Sequence, residues 1–279
     1  MGKLNAIKCL TETYTPDIVA ICETKVGSNF EDNELLGDRY TIWRKDRAQG
    51  AGGVLIAWNN DSNTKVLCST EGPGECVALT LQIHTKIVIN VVNFYRPPSE
   101  YMLDNFAEML DMFGDKGNTI FLGDYNLPDL DWATDPKRPR VKQNSSRATM
   151  HQNALDCILE SDLSQLVLKP THKHGNILDL VMVHKSLLDE LVVECEILPR
   201  LSDHNVLLAN VYVQGFSRID PEKKRHVIRR NFNKADYKEI EEIYANLNTK
   251  MTNKCDISEL WKDRKSTRLN SSHSSRSRM

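Results

Sequence analysis

The chain has 279 residues, with 36 basic and 38 acidic side chains for a net charge of −2 and 40% hydrophobic content. That length holds one large domain plus an appendage, and the near balance of charge excludes a globally basic nucleic-acid binder, so any such partner must be met by a local patch. The seven cysteines are scattered, odd in number and without a Cys-x-x-Cys pair, which points to a reducing intracellular compartment, and no signal peptide or membrane-length apolar stretch is visible.

In chain order, Leu4, Ile7, Leu10 and Tyr14 recur at helical spacing and predict a helix over 3–14, stopped by Pro16. Strands are expected at Ile18–Cys22, Tyr40–Trp43, Gly53–Trp58, Lys65–Cys68, Cys76–Ile83 and Lys86–Phe94, with a Gly-rich turn over Gly50–Gly53 and a short hairpin connection at His84-Thr85-Lys86. A second amphipathic helix is expected over 99–113 with Ser99 as its cap, then a strand at Thr119–Leu122, an exposed basic loop over Asp135–Arg147 and a helix at Met150–Leu159. Val167–Leu168, Asp179–Val183, Val192–Ile197 and Val206–Val213 complete the strands. Many strands and few helices make this an α+β chain, for which two packed sheets flanked by helices are the natural layers.

Three apolar runs end in polar motifs of one chemical kind: Glu23-Thr24-Lys25, Gly123-Asp124-Tyr125-Asn126 and Ser202-Asp203-His204. A carboxylate at the tip of a buried strand is costly unless a cation or hydrogen bonds meet it. Three such tips suggest a hard-cation site at one edge of the sheets, the chemistry of metal-assisted phosphoester cleavage.

With these motifs come Asn93-Phe94-Tyr95-Arg96-Pro97-Pro98, Ile177-Leu178-Asp179-Leu180-Val181 and Leu201-Ser202-Asp203-His204. The set resembles the endonuclease/exonuclease/phosphatase superfamily, and within it the endonuclease domain of non-LTR (LINE-type, jockey-like) retrotransposon polyproteins. The resemblance covers about residues 3–213 and implies a four-layer α/β/β/α sandwich of two packed sheets, the DNase I-like fold. It also implies roles residue by residue. Glu23 and Asp203 would hold Mg²⁺, with Mn²⁺ as the alternative. Asp124 would orient and deprotonate the attacking water. Asn126 would fix Asp124 and donate to the phosphate, His204 would contact the scissile phosphate, Asp179 would orient His204, and Tyr95 would place its phenol on the phosphate. Weighed singly, Glu23 could be a surface ion pair with Lys25, Asp124-Tyr125-Asn126 a turn, and Tyr95 a core aromatic.

Other candidates are weaker. His172 and His174 have no carboxylate beside them in sequence and read as exposed residues near the DNA rather than metal ligands. The loop Lys137–Arg147 is either a solvated face or a contact to the DNA backbone.

The family's first strand, which carries an Asn near the metal, normally precedes the opening helix. This chain starts at Met1-Gly2-Lys3, so the domain is expected to lack that strand, and Asn5 inside the helix is no substitute for it. The expected organisation is a domain over 1–215, a connector over 216–262 toward an absent reverse transcriptase, and a non-native, adapter-derived Ser/Arg-rich tail over 263–279. The resemblance implies a Mg²⁺-dependent endonuclease that nicks double-stranded DNA in the nucleus to prime reverse transcription, meeting the element RNA through the downstream domain and having no membrane partner. A phosphatase of inositol phosphates or other phosphoesters, and an inactive transposon relic, are the alternatives.

Overall fold

The computed structural model describes residues 2–213 except 28, 48, 49, 85, 86, 101, 115, 116, 137 and 144. The connector with its basic stretch Lys223–Arg230 and the short amphipathic helix that the sequence predicts over Tyr237–Leu247, the tail over 263–279, the connection at Thr85-Lys86 and Lys137 lie outside the described residues.

Two sheets carry the domain. The smaller joins β1 (Ile18–Cys22), β3 (Val54–Asn59) and β2 (Tyr40–Lys45) in that order, all antiparallel. The larger joins β10 (Leu163–Gln165), β11 (Asp179–His184), β7 (Thr119–Asp124), β6 (Ile87–Tyr95), β5 (Glu75–His84) and β4 (Lys65–Glu71), with β6 and β7 its parallel pair. Two further antiparallel pairs are β12 (Leu191–Leu198) with β13 (Val206–Val213), and β8 (Leu130–Asp131) with β9 (Arg140–Val141). The helices are α1 (Gly2–Tyr14), α2 (Asp32–Leu36), α3 (Asp104–Phe113) and α4 (Ala148–Glu160), with a short 3-10 turn at Lys185–Asp189. Among the described residues no helix is long and apolar enough to cross a membrane.

The side-chain alternation of β3 shows why the layers stack as they do. Val54 and Ile56 face the core shared with β5, β6, β7 and helices α3 and α4. Leu55 and Ala57 face the opposite way, into a second cluster with Leu35 and Leu36 of α2, Tyr40 and Ile42 of β2, and Ile7 of α1. A strand apolar on both faces needs cover on both sides, and this gives the expected α/β/β/α order.

One polar residue sits inside the apolar stack. Asn93 on β6 is fully buried, and its amide donates to Ile21 O of β1 at 3.0 Å and to Leu55 O of β3 at 2.9 Å. Its carbonyl accepts from the Cys22 thiol at 3.3 Å. The two sheets are thus cross-bonded directly behind the strand end that carries Glu23.

Two expectations fail. Ser99 caps no helix: Glu100 N–H donates to Pro97 O at 3.0 Å in a turn, and α3 starts only at Asp104. The strand expected at Val167–Leu168 lies instead at Leu163–Gln165, paired with Met182–His184 of β11. A short apolar pair with no alternation around it fixes neither register nor strand.

Candidate active site

Register brings the functional ends together. Tyr95 is the Cα partner of Asp124 across the parallel β6–β7 pair, and Asp124 is the partner of Asp179 across β7–β11. Glu75 partners Tyr95 on the other side, so one cross-strand row runs Glu75, Tyr95, Asp124, Asp179. Two carboxylates directly opposite repel each other unless something positive joins them. His204 does so: its Nδ1 lies 2.8 Å from Asp179 Oδ2 and its Nε2 lies 3.9 Å from Asp124 Oδ2. The first distance is a hydrogen bond; the second is too long to be one.

Asp124 is buried, 5% exposed, and both its oxygens are held by Asn126, through the backbone N–H at 3.1 Å and the side-chain amide at 3.2 Å. Asn126 takes a left-handed backbone conformation (φ 47), which Asn tolerates better than most residues. Its amide also donates to Arg96 O at 2.7 Å, so both amide hydrogens are spent inside the protein. This geometry gives Asn126 the holding of Asp124. Burial, and then Asp179 beside it, push the Asp124 carboxyl up to about 7. The hydrogen bond to Asp179 raises the His204 ring to about 9 against the cost of its burial.

Glu23 follows β1 in a left-handed conformation (φ 53). Its Oε1 accepts from the Tyr95 phenol at 2.5 Å and its Oε2 pairs with Lys25 Nζ at 2.9 Å. Burial works to raise its carboxyl, but the Tyr95 hydrogen bond and Lys25 together hold it below the usual range. Tyr95 itself is shifted far above its ordinary value by burial and by Glu23, so the phenol stays a donor. The Glu23–Tyr95 bond crosses from the small sheet to the large one.

Asp203 and His204 lie in the loop before β13. Asp203 is half exposed, and its own backbone N–H helps lower its carboxyl. Among the described residues, the groups of three with ligand atoms close enough to share a cation are Asp124–Asp179–His204 and His172–Asp203–His204; Glu23 is in neither, its oxygens being engaged with Tyr95 and Lys25. The donor set at the strand ends is mainly carboxylate oxygen, which suits a hard divalent cation, and the Lys25 ammonium bound to Glu23, its charge also stabilised by Asp203, shows that this end of the sheets favours positive charge.

Several positioning residues escaped the sequence reading. Arg96 is 1% exposed and donates to Tyr125 O at 2.8 Å, Asn126 O at 2.6 Å and Glu100 O at 2.5 Å, and its N–H donates to Asp124 O at 2.9 Å. It splints the whole Asp124–Asn126 turn, and its signal was a charged residue closing an apolar strand. Buried Thr171 offers Oγ1 to Leu178 N–H at 3.0 Å and Asp179 N–H at 3.1 Å, while its carbonyl accepts from Asn205 N–H at 2.6 Å. One residue thus joins the Asp179 strand to the His204 loop. Glu75 accepts from Gly53 N–H, and the Gly52 and Gly53 carbonyls accept from Lys25 N–H and Thr24 N–H at 2.8 and 3.1 Å, bracing the backbone around Glu23.

His172 departs from its expected place. Its side chain is only 14% exposed, its ring centroid is 4.9 Å from that of His204, and its carboxylate neighbour comes from Asp203 rather than from its own loop. His174 stays exposed. In the basic loop, Lys142 Nζ donates to Pro128 O at 2.6 Å and Asn176 Oδ1 at 3.1 Å, and Arg147 Nη1 to Pro98 O at 3.1 Å, so both heads brace the protein.

Residues 89–208 match the family described as Endonuclease-reverse transcriptase. Among solved structures, the chain is similar to the endonuclease domain of TRAS1, a telomere-specific non-LTR retrotransposon, at 18% identity and TM-score 0.54, covering 76% of this chain and 92% of that one. It is similar to an AP endonuclease from Archaeoglobus fulgidus at 20% identity and TM-score 0.58, covering 75% of this chain and 94% of that one. A third likeness is to the 3′ phosphatase NExo from Neisseria bound to product DNA hairpin, at 17% identity and TM-score 0.56, covering 75% of this chain and 93% of that one. No curated protein matches the chain. The shared architecture is the DNase I-like two-sheet sandwich.

Proposed function

We propose that this chain is a divalent-metal-dependent phosphodiesterase that nicks double-stranded DNA, the endonuclease part of a retrotransposon polyprotein, a reading supported by the match of residues 89–208 to an Endonuclease-reverse transcriptase family and by the fold. The observation that carries the reading is the row of Tyr95, Asp124 and Asp179 with His204 bridging the two carboxylates.

In this reading, Asp124 takes a proton from the attacking water. Its carboxyl at about 7 is suited to that task near neutral pH. Asn126 holds the Asp124 carboxylate and Arg96 N–H holds its backbone carbonyl, which keeps the carboxylate beside His204. His204, kept as imidazolium by Asp179, meets the charge that builds on the phosphate oxygens. Tyr95, whose one O–H is donated to Glu23, fixes that carboxylate at the rim and would reach a phosphate only by exchanging that bond. Glu23 and Asp203 would hold Mg²⁺, or Mn²⁺ in its place. When bound, the cation polarises a phosphate oxygen and offsets charge in the transition state.

The motif wording Tyr95-Arg96-Pro97-Pro98 and Leu201-Ser202-Asp203-His204, together with the match to an Endonuclease-reverse transcriptase family, supports the retrotransposon assignment, which carries with it a nuclear DNA target and an RNA partner met through a downstream domain. A phosphatase is the second reading, because the fold is as similar to the Neisseria 3′ phosphatase as to the TRAS1 domain.

The deciding experiment is a supercoiled-plasmid nicking assay with Mg²⁺, run beside phosphate release from 3′-phosphorylated DNA and from inositol phosphates. Nicking that is lost in the Asp124→Ala/His204→Ala double variant supports the endonuclease. Phosphate release without nicking would replace it by the phosphatase, and nicking that survives the double variant would sink the site assignment.

A further inference from the structure

His172, Asp203 and His204 each present a ligand atom within 4.8 Å of the other two. The cluster is built rather than incidental. His172 and His204 form an antiparallel β-bridge, Lys173 N–H donates to Asp203 O at 2.8 Å, and Asn205 N–H donates to Thr171 O at 2.6 Å, so the two segments that supply the ligands are tied through their backbones. The two imidazoles meet edge to face with centroids 4.9 Å apart. Asp179 engages His204 Nδ1 at 2.8 Å, which leaves Nε2 as the nitrogen that a cation would take, its proton being released to solvent as the metal binds. A carboxylate on the far nitrogen of a ligating histidine is the usual support that fixes its tautomer and strengthens it as a donor.

Two imidazole nitrogens with one carboxylate oxygen are a poor set for Mg²⁺, which prefers oxygen, and a good one for Zn²⁺ or Co²⁺. Zn–N and Zn–O distances of about 2.0–2.2 Å place neighbouring ligand atoms of a tetrahedral site roughly 3.3 Å apart. His172 Nε2 and Asp203 Oδ2 are now 3.9 Å apart, and the half-exposed Asp203 can close that difference by turning its carboxylate. Two contacts oppose the site and both are weak. Lys173 Nζ stands 3.8 Å from the same carboxylate, and His174 N–H approaches His172 Nδ1 at 3.4 Å.

We propose that His172, Asp203 and His204 form a second cation site, selective for borderline transition metals, whose occupation withdraws His204 and Asp203 from phosphodiester cleavage and so inhibits the enzyme. The binding site stands on its own geometry; its inhibitory consequence rests on the nicking function proposed above.

The test is a titration of the full chain with Co²⁺, read by its visible absorption, with Zn²⁺ as competitor and Mg²⁺ in excess. One equivalent should bind with the intense bands of a low-coordinate site, Zn²⁺ should displace it and Mg²⁺ should not. His172→Ala and His172→Gln should each weaken binding by at least about 10–100-fold, the cost of losing even an outer-shell partner, Glu23→Gln should leave the bands in place, and Lys173→Met should tighten binding. Circular dichroism verifies that each variant is folded, and two replacements at position 172 guard against one failing. Absent bands, or unchanged Co²⁺ affinity in the folded His172 variants, would overturn the site. In the nicking assay with Mg²⁺, the Zn²⁺ concentration for half inhibition should rise at least about tenfold in His172→Gln; an unchanged value would overturn the inhibitory role. A chain that never nicks but gives the Co²⁺ result leaves the metal site standing and removes only the endonuclease reading.

Discussion

Replacing Asp179 by Asn removes a charge while keeping the shape of a group whose Oδ2 lies 2.8 Å from His204 Nδ1. That bond is the largest cause holding the ring at about 9. Returned to about 6.5, the ring at pH ~7.5 is charged roughly one-tenth as often. Lost orientation of the imidazole adds up to about a hundredfold more, the low end of what losing one oriented electrostatic group costs. Nicking at neutral pH should therefore fall roughly ten- to a thousandfold. Part of it should return near pH ~6, where the ring protonates unaided. The recovery is helped by a second effect, because Asp179 is also the second largest cause raising Asp124, so the variant keeps Asp124 ionised to lower pH. The assay is the initial nicking rate across pH at saturating Mg²⁺. In the wild type the rate should rise as Asp124 ionises and fall above about 9 as His204 loses its proton; in the variant that upper limb should move down by two units or so. A variant with full neutral rate and an unmoved upper limb would show that His204 does not act as a cation.

Arg96→Met should strand the carbonyls of Tyr125, Asn126 and Glu100, costing roughly 3 kcal/mol or more and lowering kcat beyond the loss of folded protein, as read by denaturant melts beside nicking rates. Gly123→Ala should abolish soluble folding, at more than about 4 kcal/mol, since a Cβ there collides with the Phe94 carbonyl across the parallel pair and the backbone sits at φ 137; a normal melting curve would contradict the strand pairing. Asp124→Asn should raise Tm by about 2–4 °C per kcal/mol in chelator above pH 7 while abolishing nicking. The sign follows from linkage: a folded value of about 7 exceeds the unfolded carboxylate value, so the folded state loses stability as pH rises between the two, and the gain from Asn should shrink toward pH ~4. A gain independent of pH would refute that account.

The strands that shape the site were legible because their two-residue periodicity or full burial is written locally. β1 and β13 fall at Ile18–Cys22 and Val206–Val213 as expected, and β7 extends the expected run by only Gly123 and Asp124. The short elements were not legible. α2 at Asp32–Leu36, β8, β9 and the turn at Lys185–Asp189 are too brief to show a period, and α3 begins later than its apolar spacing suggested because Arg96 draws the Glu100 carbonyl into a turn. In the site, the residue types marked the carboxylates and His204; Asp179 stands beside His204, and the approach of His204 to Asp124 was not anticipated. Arg96, Thr171 and His172 stayed hidden because each acts through contacts more than five residues away in sequence, with Tyr125, Asp179 and His204 respectively. Pairing at such distance leaves no periodic trace.

The buried amide of Asn93 bears on how this domain can fail. Its two hydrogens reach carbonyls on β1 and β3 across an otherwise apolar interface. Apolar surfaces by themselves tolerate sliding, since one slipped packing buries nearly as much as another. A slip of one residue here would leave a donor pair in a medium that cannot solvate it, at about 1–3 kcal/mol for each unmet group. Misaligned stackings are therefore penalised where aligned ones are not, and the alignment that Asn93 selects is the one that brings Glu23 within reach of Tyr95. A population that has closed its two sheets has, by the same step, assembled the rim that joins Glu23 to Tyr95. Partial loss of activity in a variant should then appear as fewer competent molecules rather than as a uniformly loosened site.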